Sequence, residues 1–300
     1  MCGIAGFYDS ALSPEQADVL MAGMLRSMEH RGPDASGVHT EHPLVLGHNR
    51  LSIIDLSHDA DQPMEYGDTV ISYNGEIYNY VELRTELSRL GHVFRTSSDT
   101  EVILAAYAAW GENCVQRFVG MWAFAIWNRR TATLFCSRDR FGIKPFNYIH
   151  SGNRFYFASE YRALRQSPVF RNDINIRQIS RGLQLGWISY GEETCYECIK
   201  QLPAACNLVF RDGALCLTKY WDIDPGRKHP GDSRAKEEEF RRLFCDSIRL
   251  HLRSDVEVGA CLSGGLDSSS IVSCIAGGYA GKTPPSFKTF TAYYTGSGDV

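Results

Sequence analysis

The feature that most constrains this chain is its beginning, Met1-Cys2-Gly3-Ile4-Ala5-Gly6. A cysteine directly after the initiator methionine becomes the N-terminus once that methionine is trimmed, which is usual when the next residue is small. Cys2 then carries a nucleophilic sulfur and a free α-amine on one residue. An amine with a reference pKa of about 7.7–8.0 can take the thiol proton or hand one to a leaving amine at neutral pH. Chain ends ordinarily fray. Here Gly3 to Tyr8 is a small, apolar, strand-like run of the kind that is buried, so the terminus is expected to be pinned inside the fold. That places a nucleophilic Cys2 ahead of an incidental one.

With 300 residues there is room for two domains or one large one, and for a sizeable core. A net charge of −4 gives no reason to expect nucleic acid or an anionic membrane as partner. The longest apolar run, Met121 to Trp127, is far too short to cross a bilayer, and no signal peptide precedes Cys2, which points to the cytoplasm. The ten cysteines form no disulfide framework and read as free thiols of a reducing compartment. Cys195-Tyr-Glu-Cys198 lacks the second close pair or histidine pair that a zinc site requires, so these thiols, like Tyr80, Trp122 and Trp127, read as packing.

Along the chain, Pro14 to Glu29 has the spacing of an amphipathic helix, with Leu20, Met21, Met24, Leu25 and Met28 on one face. His30-Arg-Gly-Pro-Asp34 breaks it with a polar loop. Leu44 to Gly47 and Leu51 to Ile54 are short strand candidates, with Arg50 between them as a clamp for a substrate carboxylate or a solvated cation. Val70 to Tyr73 predicts a strand, and Asn74-Gly75 a turn out of it. An Asn amide beside a Gly N–H is also a ready oxyanion hole. Tyr80 to Leu90 predicts a helix closed by Gly91, and Ser97 to Glu101 supplies an N-cap for another through Trp110, with Asp99 read as a cap. Gly120 to Trp127, Thr133 to Ser137 and Arg154 to Ala158 predict strands around the charged loop Arg138 to Pro145. This grouping points to a layered α+β domain over 2–217, and the Pro, Gly and charge of 218–233 to a linker.

A second rhythm fills 234–300. Ala235 to Arg253 predicts a helix with Phe240, Leu243, Phe244, Ile248 and Leu252 inward, and Val256 to Leu262 a strand. Ser263-Gly-Gly-Leu-Asp-Ser268 follows, then a helix from about Ser270 and a strand from Phe287 to Tyr294. This is a βαβ unit with a glycine loop at the strand's carboxyl end, where open α/β sheets bind ligands. Ser263, Gly264 and Gly265 offer backbone N–H groups and a helix N-terminus to an anion, and Asp267 could hold Mg²⁺ beside bound phosphates. The Gly-Lys-Ser/Thr ending of a Walker A loop is absent.

Taken together, the chain resembles the glutamine-hydrolysing asparagine synthetase family. The resemblance rests on Met1 to Gly6, Arg31-Gly-Pro-Asp34, Arg50-Leu-Ser-Ile-Ile-Asp55, Tyr73-Asn-Gly-Glu-Ile-Tyr-Asn79, Ser98-Asp-Thr-Glu101, Arg138 to Pro145 and Leu262 to Ser268, in that order. It implies an N-terminal-nucleophile domain, an αββα sandwich acting as a class II glutamine amidotransferase. The start of an α/β parallel-sheet ATP-pyrophosphatase domain would follow. Carried over, Cys2 attacks the glutamine amide while Asn74 and Gly75 hold the oxyanion. Arg50 and Ile53 contact glutamine, Arg50 at its α-carboxylate, and Glu76 and Asp99 hold its α-amine. Leu262, Ser263, Gly264, Gly265, Asp267, Ser268 and Ala292 surround ATP, with Mg²⁺ at Asp267. The substrates implied are glutamine, aspartate and ATP, with no tightly bound prosthetic group; a homodimer is compatible with the family.

The chain departs from the family's strings at Lys144-Pro-Phe-Asn-Tyr148, where Lys-Pro-Leu-Tyr-Tyr is usual, and at Pro203-Ala-Ala-Cys206, where a Pro-Gly-His-like string is usual. One βαβ unit cannot cover both faces of a parallel sheet, so the sequence is expected to be a fragment, or the product of a degraded gene, that lacks most of the synthetase domain. The alternatives are the same amidotransferase serving another carboxylate acceptor, a glutaminase-only fragment, and a glutamine sensor without turnover.

Overall fold

The longest apolar runs of this chain belong to strands buried on both faces. In the computed structural model, which describes residues 1–186, 191–279, 281 and 287–293, the chain divides into two compact units, Met1–Ile223 and Asp224–Val300. The first opens with β1 (Gly3–Tyr8), α1 (Pro14–Ser27), β2 (Ala35–Glu41), β3 (Leu44–Arg50), β4 (Met64–Tyr66) and β5 (Thr69–Ile77). Next come α2 (Tyr80–Arg89), α3 (Asp99–Trp110), β6 (Gly120–Asn128), β7 (Thr133–Arg138), β8 (Asn147–Ser151) and β9 (Arg154–Ala158). α4 (Tyr161–Leu164), α5 (Ile176–Leu185), β10 (Lys200–Gln201), β11 (Cys206–Arg211) and β12 (Ala214–Lys219) complete it.

Two six-stranded antiparallel sheets result, ordered β10-β8-β9-β1-β3-β2 and β12-β11-β7-β6-β5-β4. Alternate residues of each strand feed different cores. Between the sheets lie Ile4, Leu44, Leu46, Val70, Ala123, Ala125, Leu134, Phe155 and Phe157. The residues between them point outward: Ala5, Phe7, Val45 and Tyr156 pack with Met21, Met24 and Leu25 of α1, while Ile71, Trp122, Phe124 and Phe135 pack with Val102, Leu104 and Ala105 of α3. Helix, sheet, sheet, helix is the αββα sandwich expected. Buried polar bonds register the two sheets on each other: Ser72 Oγ donates to the Gly47 carbonyl at 2.8 Å, and the His48 ring meets the Tyr73 carbonyl at 3.0 Å.

Four expectations need correction here. Asn74-Gly75 is not a turn; β5 continues through it, with Asn74 opposite Ala123 and Gly75 opposite Trp122 of β6. Full cross-strand pairing overrides the local turn preference. Leu51 to Ile54 is not a strand, because β3 ends at Arg50 and the chain folds back there. The Leu51 N–H goes to Cys2 Sγ, the Ser52 N–H to the Asp34 carboxylate, and the Arg50 guanidinium grips the Asp55 and Ser57 carbonyls. Asp99 is not the cap of α3. Ser98 is, its hydroxyl accepting from the Thr100 N–H, which frees the Asp99 carboxylate for the site. The helix expected through Glu29 stops at Ser27 and tightens into a 3₁₀ turn, Glu29–Arg31.

The departures from the family strings are absorbed by packing. The Phe146 ring stacks on Phe157 with centroids 5.1 Å apart, and Asn147 Nδ2 donates to the Ser159 carbonyl. Trp122 is fully buried and Trp127 nearly so, as packing residues. Cys198 donates its thiol to the Arg171 carbonyl. Tyr220, assigned by composition to the linker, donates its hydroxyl to the Arg138 carbonyl and stacks on Trp122 within the first unit.

The second unit contains α6 (Ser233–His251), β13 (Gly259–Cys261), α7 (Leu266–Ala276) and β14 (Lys288–Phe290), with β13 and β14 parallel. Asp232 caps α6. The βαβ unit expected is present, with both strands shorter than read and α7 starting four residues earlier; Tyr294 lies outside the described residues. Of the α6 face read as inward, Ile248, Phe244 and Leu252 pack together with Cys274 and Ile275 of α7. Phe240 and Leu243 are exposed, since no described element of this unit covers that end of the helix.

Candidate active site

β1 lies at the centre of its sheet, antiparallel to β3, so the residue before Gly3 is carried to the carboxyl end of β3. Cys2 is fixed there by three contacts. The Leu51 N–H donates to Cys2 Sγ at 3.4 Å, the thiol returns a contact to the Leu51 carbonyl at 3.6 Å, and Arg31 Nε donates to the Cys2 carbonyl at 3.0 Å. Arg31 in turn pairs with Glu160. The expected pinning of the terminus is therefore achieved by strand pairing and by the Arg31 loop.

A cavity of about 330 Å³ opens at this point, and its walls include Cys2, Arg50, Ile53, Asn74, Gly75, Glu76 and Asp99. All seven residues read from sequence for the glutamine site thus meet in one cavity. Asn74 is 1% exposed, and its amide Nδ2 is a buried donor with no partner. Leaving such a group unpaired is costly, so it fits a site that awaits an acceptor.

Gly75 adds a second donor by strand parity. Along β5 the Tyr73 N–H is taken by the Gln62 side chain at 2.7 Å and the Ile77 N–H by the Asp99 carboxylate at 2.9 Å. Alternation sends the Gly75 N–H to the same edge, between these two filled positions. Glycine is required there because a Cβ would stand 2.3 Å from the Met121 carbonyl oxygen and 2.5 Å from the Tyr73 ring.

The opposite wall is acidic. Asp99 is fully buried and accepts from the Tyr73 hydroxyl at 2.8 Å as well as from Ile77. Burial raises its pKa, and burial together with the Asp99 charge raises that of Glu76. Two carboxyls held above their ordinary range become comfortable as anions once an ammonium sits between them. Arg50 faces the same space with its guanidinium anchored to Asp61 at 2.6 Å. Burial pushes the Cys2 thiol up, opposed by the Leu51 N–H and by nearby cations, and burial lowers the pKa of the Met1 α-amine.

Sequence reasoning missed Leu51, Gln62, Thr100, Met121 and Lys144, which also line the cavity. Leu51 and Lys144 lie inside strings already singled out; Gln62 carried no local signal, since its role is to fill the Tyr73 N–H just before β4 begins.

In the second unit the loop after β13 brings Ser263, Gly264, Gly265 and Ser268 together. The Ser263 and Ser268 hydroxyls are 3.1 Å apart, Gly264 has φ +82°, and Gly265 caps α7 without a side chain. Asp267 stands in the first turn of α7 and is exposed. Leu262 donates its N–H to the Phe290 carbonyl, and Ala292 is exposed just beyond β14. Free N–H groups at a helix start, an open glycine cradle and two hydroxyls fit a phosphate group. Among the described residues no group of three His, Cys, Asp or Glu side chains could hold a metal, so Asp267 is a single protein ligand at most.

A family model described as a glutamine amidotransferase domain matches residues 1–221, and one described as asparagine synthase matches 239–300. A Bacillus subtilis protein named asparagine synthetase [glutamine-hydrolyzing] 3 is 38% identical over 95% of this chain and 47% of its own length. A Methanocaldococcus jannaschii protein named putative asparagine synthetase [glutamine-hydrolyzing] 2 is 37% identical over 91% of this chain and 56% of its own. The chain spans about half the length of the curated relatives it matches. Among solved structures, the glutamine phosphoribosylpyrophosphate amidotransferase of B. subtilis superposes with a TM-score of 0.55 at 17% identity, over 96% of this chain and 65% of its own, a likeness of fold. With a domain match over most of its residues, the chain belongs to the glutamine amidotransferase family, and it is similar along nearly its whole length to proteins named glutamine-hydrolysing asparagine synthetases.

Proposed function

We propose that this chain hydrolyses glutamine at Cys2 and delivers the ammonia to asparagine synthesis. Residues 2–217 would form the glutaminase domain, 218–233 the linker and 234–300 the first part of the synthetase domain. The observation that carries the reading is the meeting of a pinned sulfur, an orphaned Asn74 donor and two carboxyls in one cavity.

After loss of Met1, the α-amine of Cys2 takes the thiol proton and the sulfur attacks the amide carbon of glutamine. Asn74 Nδ2 and the Gly75 N–H hold the oxygen as it becomes anionic, where each donor is worth roughly 10²–10³ in rate. The same amine returns the proton to the departing ammonia, and water then releases glutamate from the thioester. Arg50 binds the α-carboxylate of glutamine with Ile53 beside it, while Glu76 and Asp99 bind its α-ammonium, so the substrate is held by both ends.

In the second domain Ser263, Gly264, Gly265 and Ser268 would hold the phosphates of ATP with Mg²⁺ on Asp267, and Leu262 and Ala292 would flank the nucleoside. ATP activates the carboxylate of the acceptor, aspartate, for attack by ammonia. Ten free cysteines agree with a reducing cytoplasm, and among the described residues no helix is long and apolar enough to cross a membrane. A homodimer belongs to the same reading, and the mass in solution tests it. The decisive experiment is glutamate release from glutamine. Cys2→Ala should lower it on the order of 10³-fold or more, and a Cys2→Ala protein that keeps the activity would refute the reading.

A further inference from the structure

Lys144 is a charged group of the Cys2 cavity that this mechanism leaves unused. It is 4% exposed, on the loop between β7 and β8. That loop is tied from inside. The Asp139 carboxylate accepts from the N–H groups of Phe141, Ile143 and Lys144 at 2.9–3.1 Å, and the Arg138 guanidinium donates to the carbonyls of Gly142, Lys144 and Leu202. A buried lysine ordinarily ends on a carboxylate. Here Nζ points at the thioether of Met1, 3.2 Å away, and among the described residues no carboxylate lies within ion-pair distance of it. Met1 is the residue whose removal frees the Cys2 amine, so trimming would strip this ammonium of its partner and leave it facing the new terminus.

We propose that Lys144 is a positioning residue for glutamine hydrolysis, its fixed charge keeping the freed Cys2 α-amine unprotonated and favouring the Cys2 thiolate. The inference rests on Cys2 being the nucleophile. A cation at short range in a cavity disfavours a second cation and favours an anion, so it lowers the pKa of both groups. Arg31 acts in the same direction from the loop after α1. Against them stand Asp34, Glu76 from β5 and Asp99 from α3; Asp139 is engaged by its own loop. Burial drives the Cys2 thiol up, and the Lys144 charge is among the forces that pull it back; it also pulls down the amine of Met1, one residue before the amine that trimming frees.

The test compares the purified wild-type chain with Lys144→Met, which keeps the length of the side chain without its charge, and Lys144→Arg, which keeps the charge. Iodoacetamide labelling of Cys2 from pH 6 to 11, read by mass on the N-terminal peptide, follows thiolate formation without any need for turnover. In Lys144→Met the labelling midpoint and the acidic limb of glutaminase kcat/KM should both move up by about one pH unit, with about a tenfold loss at pH 7, while Lys144→Arg stays near wild type. An unmoved labelling midpoint in Lys144→Met overturns the inference, and so does an equal loss of rate in both variants with both midpoints unmoved. Glutamate release by the wild type, and its loss in Cys2→Ala, judges the nucleophile separately.

Discussion

The two candidate sites of this chain are built on opposite plans. In the first unit the functional groups sit at the edge of a sandwich whose strands are buried on both faces, and nearly every polar atom around Cys2 is tied to backbone. In the second unit Ser263, Gly264 and Gly265 are exposed on a loop between one strand and one helix, with Asp267 exposed in the first turn of that helix, and what they offer an anion is mostly main-chain N–H. Carbon–nitrogen chemistry needs donors fixed where charge develops, which only a packed interior supplies. Phosphate capture needs a helix start and room for close approach, which a small βαβ unit supplies alone. The largest test of this contrast is Asn74→Ala, which should lower glutaminase kcat by about 10²–10³ with little change in melting, since its Nδ2 donates to nothing in the free protein. If the rate is unmoved, the orphaned amide is only a packing defect.

His48 offers the next test, because the second unit has no counterpart to it among the described residues. Its ring lies fully buried between the sheets, and the Tyr73 carbonyl fixes the proton on Nε2, leaving Nδ1 bare. Burial lowers its pKa from 6.5 to about 4. Above pH 6.5 the ring is neutral folded or unfolded and contributes no pH dependence. Between pH 6.5 and about 4 the unfolded chain binds a proton that the native state refuses, so stability falls as pH falls, by about 3 kcal/mol across the window. Urea unfolding followed by the tryptophans, all of which fall within residues 1–223, should show this loss, and His48→Gln should flatten it. An equal acid loss in His48→Gln would move the cause elsewhere.

At the exposed loop the expected effect is smaller. Ser263→Ala removes one hydroxyl from a cradle otherwise made of backbone, so Mg·ATP binding by titration calorimetry should weaken about tenfold, roughly the worth of one hydrogen bond to a charged group. Glutamate release should stay within about twofold of wild type. A loss of glutaminase rate in Ser263→Ala would mean that the two sites are energetically coupled, and the contrast drawn above would have to be abandoned.

Legibility from sequence follows the same division. Cys2, Arg50, Asn74, Gly75 and Asp99 were readable because each belongs to a short string, and the two oxyanion donors, Asn74 and Gly75, are adjacent in sequence. How they are presented was not. Asn74-Gly75 has the local chemistry of a turn, yet β6 pairs with β5 straight through it. Asp99 looks like a cap, yet Ser98 takes that place and releases the carboxylate inward. Lys144 reaches the site from far away in the chain through a loop whose path is set by Asp139, and Gln62 from the segment just before the start of β4. Strand registers and loop anchors are decided by partners distant in sequence, which a local pattern does not contain.

The amphipathic stripe of α6 marks where sequence pattern and burial part. Phe240, Leu243, Phe244, Ile248 and Leu252 recur at helical spacing, which is the pattern of a buried face. A stripe, however, says only that a face is apolar; whether water leaves it depends on what packs against it. Ile248 is 7% exposed beneath α7, whereas Phe240, two turns earlier, is 70% exposed and touches little beyond the Phe244 ring at 6.0 Å. Truncating a fully buried phenylalanine such as Phe124 costs about 3–5 kcal/mol. Phe240→Ala in this chain should cost under about 1 kcal/mol, because most of the ring is already in water and only an exposed stack is lost. Chemical denaturation of the two variants measures the difference. A cost for Phe240→Ala as large as that for Phe124→Ala would show that this face is covered in solution, and the second unit would then share the buried plan of the first.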